Sequence, residues 1–191
     1  MEGEGALERL MEGNRRFAEG RARRRECGPE RRRRLVAGQR PAAVVVGCAD
    51  SRVDPTILFD ADLGDLFVVG VAGNVVTPEV LGSVELAVAE LGAPLCLVLG
   101  HSGCGAVGAA VAGSATGAVV HLVEALRPAC ERVPTQAENR VDRVVRANVR
   151  RQVEVLRTSE PVLAARVADE RLTVRGGCYD LASGRVELEE G

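Results

Sequence analysis

The stretches AAVVVGCADSR (residues 42–52) and LCLVLGHSGCG (residues 95–105) decide the fold of this chain. Each begins with small and branched apolar residues, a pattern typical of a strand that is buried on both faces of a parallel sheet. Further strands are predicted at residues 65–71, 171–175 and 185–189, with helical patterns between most of them. Strands that alternate with helices predict an α/β fold with a mostly parallel central β-sheet flanked by helices.

The helical patterns are marked by apolar spacing and by capping residues. The predicted helices cover residues 4–20, 29–37, 54–60, 77–91, 104–112, 118–132 and 136–157, and a further short helix begins at Pro161. The first two belong to an N-terminal helical arm, residues 1–40, which we expect to pack on a partner subunit. The whole chain, residues 1–191, is predicted to be a single domain, because its length suits one hydrophobic core.

Composition argues against several classes of protein. The net charge is −2, and the 12 arginines of residues 1–40 are interspersed with 7 glutamates, which favours a solvated helical arm over a nucleic-acid-binding surface. No apolar segment approaches the roughly 18–20 residues of a membrane span, and the acidic N-terminus lacks the apolar core of a secretory signal. We therefore expect a cytoplasmic protein that binds neither nucleic acid nor membranes.

Both deciding stretches carry residues that bind metals. Cys48 and Asp50 follow the first apolar run, and His101 and Cys104 follow the second. In α/β folds, sites form outside the carboxyl ends of the strands. Two thiolates and one imidazole suit zinc, and three protein ligands leave a fourth position for water, whose pKa zinc lowers to about 7. The pattern therefore favours hydration or hydrolysis chemistry over a structural zinc site.

The motifs CxDSR at Cys48–Arg52 and HxxCG at His101–Gly105 make the chain similar to the β-class carbonic anhydrases. The likeness runs from about Gln39 to Val107 and returns at residues 174–181. The resemblance implies a zinc enzyme that reversibly hydrates carbon dioxide to bicarbonate and a proton, by attack of zinc-bound hydroxide on CO2. It also implies a homodimer or homotetramer.

The resemblance assigns roles to the residues of both motifs. Cys48, His101 and Cys104 are expected to be the permanent zinc ligands. Asp50 is expected to have two states. Paired with Arg52, it accepts a hydrogen bond from the zinc-bound water; released from Arg52, it binds zinc as a fourth ligand and excludes the water.

Substrate contacts are expected at Gln39, Phe67 and Gly105. Gln39 would hold bicarbonate or CO2, and Phe67 would form an apolar wall for the uncharged gas. A surface amide and an ordinary strand core residue are the alternative interpretations of these two side chains. Gly70 stands where the family commonly has Arg, and Leu86 where plant-type members have Tyr. Together with the absence of Trp, Gly70 and Gln39 favour a site that is normally open.

Two other functions stay open at this point. The same centre could hydrolyse carbon disulfide or carbonyl sulfide, and turnover assays on each gas would separate these reactions. Alternatively, the chain is a non-catalytic zinc protein with Asp50 on the metal and an interaction role for the arginine-rich arm. Arg52 argues against this second alternative, because a purely structural site does not need it.

Overall fold

The computed structural model describes residues 2–189. The helices are α1 (Glu2–Ala18), α2 (Pro29–Leu35), α3 (Pro55–Leu58), α4 (Pro78–Ala89), α5 (Gly105–Ala112), α6 (Val119–Glu131), α7 (Arg140–Arg157) and α8 (Leu163–Ala168). The strands are β1 (Ala43–Gly47), β2 (Leu66–Gly70), β3 (Leu95–His101), β4 (Thr173–Tyr179) and β5 (Val186–Leu188), and a 3₁₀ turn covers Ala72–Asn74. None of the helices within residues 2–189 is long and apolar enough to cross a membrane.

The five strands form one sheet in the order β2-β1-β3-β4-β5. β2, β1, β3 and β4 run parallel, and only β5 is antiparallel to its neighbour. This confirms the predicted α/β class with a mostly parallel sheet. The chain passes from β1 to β2 on one side and then to β3 on the other side of β1. The carboxyl ends of β1 and β3 therefore border the kind of crevice in which α/β folds bind ligands.

Helices cover both faces of the sheet. Side chains alternate along β1, so that Val44 and Val46 contact the core beneath α4–α7, whereas Val45 faces α1 and α3. α1 packs on the sheet of its own chain and buries Leu7 and Leu10 there. α2 has no buried residue. Packing of the N-terminal arm on a partner subunit stays a prediction.

β4 is longer than the sequence predicted. Its predicted span was residues 171–175, whereas the strand extends to Tyr179 and is also the parallel neighbour of β3. Gly176 and Gly177 interrupt the apolar pattern and so resemble a turn in the sequence. A Cβ at Gly176 would lie 2.6 Å from Cγ1 of Val149 on α7. Gly176 thus allows α7 to pack closely on the sheet. Separately, α7 and α8 begin a few residues later than predicted.

Candidate metal centre

Three candidate ligands meet at the crevice between β1 and β3. Cys48 directly follows β1, His101 is the last residue of β3, and Cys104 directly precedes α5. Their ligand atoms all lie within 4.8 Å of one another, and all three residues are buried. The two Sγ atoms are 4.0 Å apart, close to the roughly 3.8 Å expected for two sulfurs that each lie about 2.3 Å from a tetrahedral zinc. The fold therefore brings together the three ligands that the sequence predicted.

The imidazole of His101 provides a test of whether a metal fits. Its Nδ1 lies 3.0 Å from the Ser102 carbonyl oxygen, so Nδ1 carries the proton and Nε2 is left with a free lone pair. Nε2 is buried and has no hydrogen-bond partner within the described residues. A buried polar nitrogen without a partner is unfavourable, and a zinc ion between it and the two sulfurs would satisfy it. The residues present fit zinc.

The electrostatics of the three groups are coupled. The hydrogen bond with Cys104 lowers the pKa of the Cys48 thiol to about 4, and the same contact, together with burial, raises the pKa of Cys104. Burial lowers the pKa of His101, but the Cys48 thiolate, the Ser102 carbonyl and the Asp50 carboxylate together outweigh burial, and the net pKa is raised. The protonation of each ligand thus depends on its neighbours, and a metal that binds there would displace their protons.

Backbone N–H groups support both sulfurs. The amide of Gly73, in the 3₁₀ turn, donates to Cys48 Sγ at 3.3 Å. Cys104 is the N-cap residue of α5, and the amides of Ala106 and Val107, at the start of that helix, offset part of the rise in its pKa. Donors and helix N-termini stabilise thiolate over thiol, so the backbone is arranged for two anionic sulfurs.

Asp50 lies beside the ligands and is held there by Arg52. The Arg52 guanidinium donates from Nε to Asp50 Oδ1 at 2.9 Å and from Nη2 to Oδ2 at 2.7 Å, and its backbone amide donates to Oδ1 at 3.0 Å. These bonds hold the pKa of Asp50 well below its usual range. Asp50 Oδ2 is 3.9 Å from His101 Nε2. The structure therefore contains an ionised carboxylate next to the candidate metal position and restrained by a bidentate ion pair.

A cavity of about 400 Å³ opens beside Cys48 and Asp50 and is also lined by Val68 and Gly70 of β2. A larger cavity of about 690 Å³ lies between α7 and β4. It contains no member of the ligand cluster and is lined largely by arginine and glutamate side chains. Of these two cavities, only the smaller borders the candidate centre, at Cys48 and Asp50.

The expected substrate contacts are dispersed within one chain. Phe67 is partly buried against the core cluster that includes Cys48, and it does not line the cavity beside the ligands. Gly105 is the first residue of α5 and is exposed. Gln39 precedes β1 and lines a separate cavity with Leu66, at the end of the sheet opposite the ligands. A single chain does not bring Gln39 to the centre, and all three substrate assignments stay predictions.

The sequence analysis missed three side chains of α7 that support the centre. Asp142 Oδ1 accepts a hydrogen bond from the Gly103 amide at 3.1 Å, inside the loop that joins two ligands. Asn148 and Gln152 are buried, and Asn148 Nδ2 donates to the Gly73 carbonyl oxygen at 2.9 Å. The available signal was a pair of amides four residues apart within the apolar stripe of a helix, where packing alone calls for apolar side chains.

The chain is similar to known proteins over nearly all of its length. A family model described as "Carbonic anhydrase" matches residues 43–186. Carbonic anhydrase 2 of Mycobacterium tuberculosis is 41% identical over 190 residues, which cover 97% of this chain and 92% of the relative. The carbonic anhydrase of Mycolicibacterium smegmatis is 42% identical over 188 residues, covering 96% of this chain and 91% of that protein.

Solved structures resemble the fold to a similar extent. One of the tetrameric β-carbonic anhydrases of Sordaria macrospora superposes with a TM-score of 0.78 at 26% identity, covering 98% of each chain. The Coccomyxa β-carbonic anhydrase in complex with acetazolamide gives a TM-score of 0.77 at 28% identity, covering 95% of this chain and 85% of that one.

Proposed function

This chain belongs to the carbonic anhydrase family, in its β class, and from that premise we propose that it catalyses the reversible hydration of carbon dioxide to bicarbonate and a proton. The zinc ion would be held by Cys48, His101 and Cys104. When bound, zinc lowers the pKa of a coordinated water to about 7 and so supplies a nucleophile at neutral pH. The observation that carries this proposal is the unsatisfied, buried Nε2 of His101 beside two sulfurs 4.0 Å apart.

Asp50 and Arg52 distinguish a reactive centre from a structural one. The Asp50 carboxylate is ionised, and Arg52 occupies both of its oxygens on one side. Oδ2 keeps a second lone pair with which to accept a hydrogen bond from a group in the open coordination position. Such an acceptor fixes the orientation of that group, whereas loss of the Arg52 contact would free the carboxylate to bind the metal itself. Arg52 is thus a positioning residue for Asp50.

The substrate side of the site would be completed by a second copy of the chain. β2 is the edge strand of the sheet, and apolar side chains are exposed along and beside it: Val68 at 44%, Leu63 at 42% and Val36 at 86%. If two copies pair antiparallel along this edge, the amino-terminal end of one β2 lies beside the carboxyl-terminal end of the other. That arrangement brings Gln39 of each copy toward the ligands of its partner. We therefore propose a homodimer as the basic unit, alone or within a homotetramer, in the cytoplasm.

Stopped-flow measurement of CO2 hydration tests the proposal. The zinc-loaded wild type should hydrate CO2, whereas Cys104→Ser should lose both zinc and activity. Cys130→Ser is the matched control, because Cys130 is also buried but is not one of the three clustered ligands; it should retain zinc and turnover. Full activity in Cys104→Ser would refute the assignment. Turnover of carbon disulfide or carbonyl sulfide with none of CO2 would assign the chain to a different reaction of the same centre.

A further inference from the structure

The sulfur of Cys48 is contacted by a backbone amide in an unusual conformation. Gly73, which donates to Cys48 Sγ at 3.3 Å, has a φ of 75°, and the following Asn74 has a φ of 44°. A Cβ on Gly73 would lie 3.1 Å from Cδ1 of Leu126 and 3.3 Å from the Cβ of Ala106. The donor therefore belongs to a tightly packed left-handed turn, a conformation that the surrounding structure must hold in place.

A chain of buried amides holds that turn. The Val76 amide donates to Gln152 Oε1 at 3.1 Å, Gln152 Nε2 donates to Asn148 Oδ1 at 2.8 Å, and Asn148 Nδ2 donates to the Gly73 carbonyl oxygen at 2.9 Å. The direction is fixed at both ends, because the Val76 amide can only donate and the Gly73 carbonyl can only accept. The two side chains thus join Gly73, within the turn, and Val76, just after it, to α7.

Burying these two side-chain amides costs free energy of folding unless their hydrogen bonds are made. Asn148 is 0% exposed and Gln152 is 1% exposed, and buried polar groups stabilise a fold only when they are satisfied. The neighbouring positions of α7 that face the sheet are filled by valine, such as Val145 and Val149. Apolar residues at positions 148 and 152 would satisfy the packing equally well. The amides therefore indicate that the turn needs the hydrogen bonds that they make.

We infer that Asn148 and Gln152 are positioning residues of the metal centre, which act through Gly73 on the Cys48 sulfur. This inference rests on the proposed function, because it requires zinc at Cys48. The N–H of Gly73 fixes where the Cys48 sulfur lies relative to the other two ligands, and it also draws electron density from that sulfur. Loss of the support would therefore weaken metal binding by misplacing the ligand, and it would change the electron density on the sulfur. Outer partners of metal ligands tune affinity and reactivity in this way.

The test compares Asn148→Leu and Gln152→Leu with Asn14→Leu. Asn14 is the matched control, since it is also buried and also bonds to backbone, with its Nδ2 donating to the carbonyl oxygens of Leu58 and Gly184. Zinc affinity is measured by competition with a chelator, and the thiolate-to-cobalt charge-transfer band is recorded on the Co²⁺-loaded protein. The band reports the electron density on sulfur, which a purely structural loss of stability would leave unchanged.

Asn148→Leu should bind zinc about 10- to 100-fold more weakly than wild type and should shift the charge-transfer band. Gln152 is one hydrogen bond further from Gly73 than Asn148 is. Gln152→Leu should therefore change the zinc affinity and the charge-transfer band in the same direction as Asn148→Leu, but by less. Asn14→Leu should lower the melting temperature and leave both metal readouts unchanged. The inference is overturned if Asn148→Leu and Gln152→Leu match wild type in both readouts, or if Asn14→Leu shifts them equally. A wild type that binds no zinc would instead refute the proposed function, and this inference with it.

Discussion

Arg52 illustrates how a single exposed residue can control a buried centre. Its side chain is more than half exposed, yet two of its guanidinium nitrogens and its backbone amide all donate hydrogen bonds to Asp50. An exposed ion pair contributes little to folding stability, so removing Arg52 should leave the fold and the three ligands intact. Substitution of Arg52 instead removes the restraint on the Asp50 carboxylate, whose Oδ2 lies 3.9 Å from His101 Nε2.

Arg52→Ala should therefore keep about one zinc per chain and lose turnover by about 10- to 100-fold, the usual cost of losing an outer partner of a metal site. Zinc content and the stopped-flow rate check this. Arg171→Ala is the matched control, because Arg171 pairs with Asp169 across the same two-residue spacing and is similarly exposed. Wild-type turnover in Arg52→Ala, or an equal loss in Arg171→Ala, would contradict the role given to Arg52.

The ligands Cys48, His101 and Cys104 could be predicted from sequence, because the first two lie at or next to the end of a recognisable apolar strand and the third follows His101 by three residues. The position of Gln39 could have been predicted as well. Nine residues separate it from Cys48, and a strand rises about 3.3 Å per residue, so the two belong at opposite ends of β1. Whether Gln39 reaches a centre depends on a second chain, which the pattern of one chain cannot specify.

At the scale of secondary structure, glycines allow α1 to approach the rest of the molecule closely. A Cβ on Gly13 would overlap the carbonyl oxygen of Phe59, whereas Gly5, on the same helix, has only the far end of the Arg9 side chain within 4 Å. The same helix thus contains a glycine that close packing requires and another that it does not. The first allows close approach, and the second only weakens the helix.

Gly13→Ala should destabilise the protein by about 1–3 kcal/mol, the usual cost of overpacking a tight contact. Gly5→Ala should stabilise it by up to about 1 kcal/mol, because alanine favours the helix. Urea unfolding of both variants measures the difference. Equal stabilities for the two variants would show that α1 does not pack on the sheet as described.

The predicted elements were most accurate where apolar runs were uninterrupted, as in β1, and least accurate at β4. There Gly176 lies beneath Val149, and a glycine required by close helix packing cannot be distinguished from a turn glycine by sequence alone. The buried side-chain amides of α7, Asn148 and Gln152, are the reverse case, because the sequence shows them to be unusual but does not show their partners. Their spacing marks them as anomalous in the sequence, but only the folded turn at Gly73 explains what they bind.

At the scale of the whole molecule, the two edges of the sheet differ. The β2 edge presents Val68 beside the cavity of the metal centre. The other edge is formed by the short strand β5, whose Leu188 is similarly exposed, at 40%. Exposed apolar residues on an edge strand favour association with another strand. The proposed dimer uses the β2 edge, because only that edge adjoins the centre.

Val68→Arg should convert the dimer to a monomer and lower turnover, because each centre loses its partner's Gln39. Leu188→Arg, at the opposite edge, should preserve the dimer and its activity. Light scattering after size-exclusion chromatography gives the mass of each variant. A fully active Val68→Arg monomer would contradict the proposal that the site is completed by a second chain.

In the proposed function, one zinc ion per chain, held by Cys48, His101 and Cys104, is responsible for hydration of CO2. The most direct measurement is a titration of the metal-free protein with Zn²⁺ while the initial rate of CO2 hydration is followed by stopped flow. The rate should rise linearly and break sharply at one zinc per chain. A rate that does not depend on zinc, or one zinc bound per chain with no gain in rate, would contradict the claim.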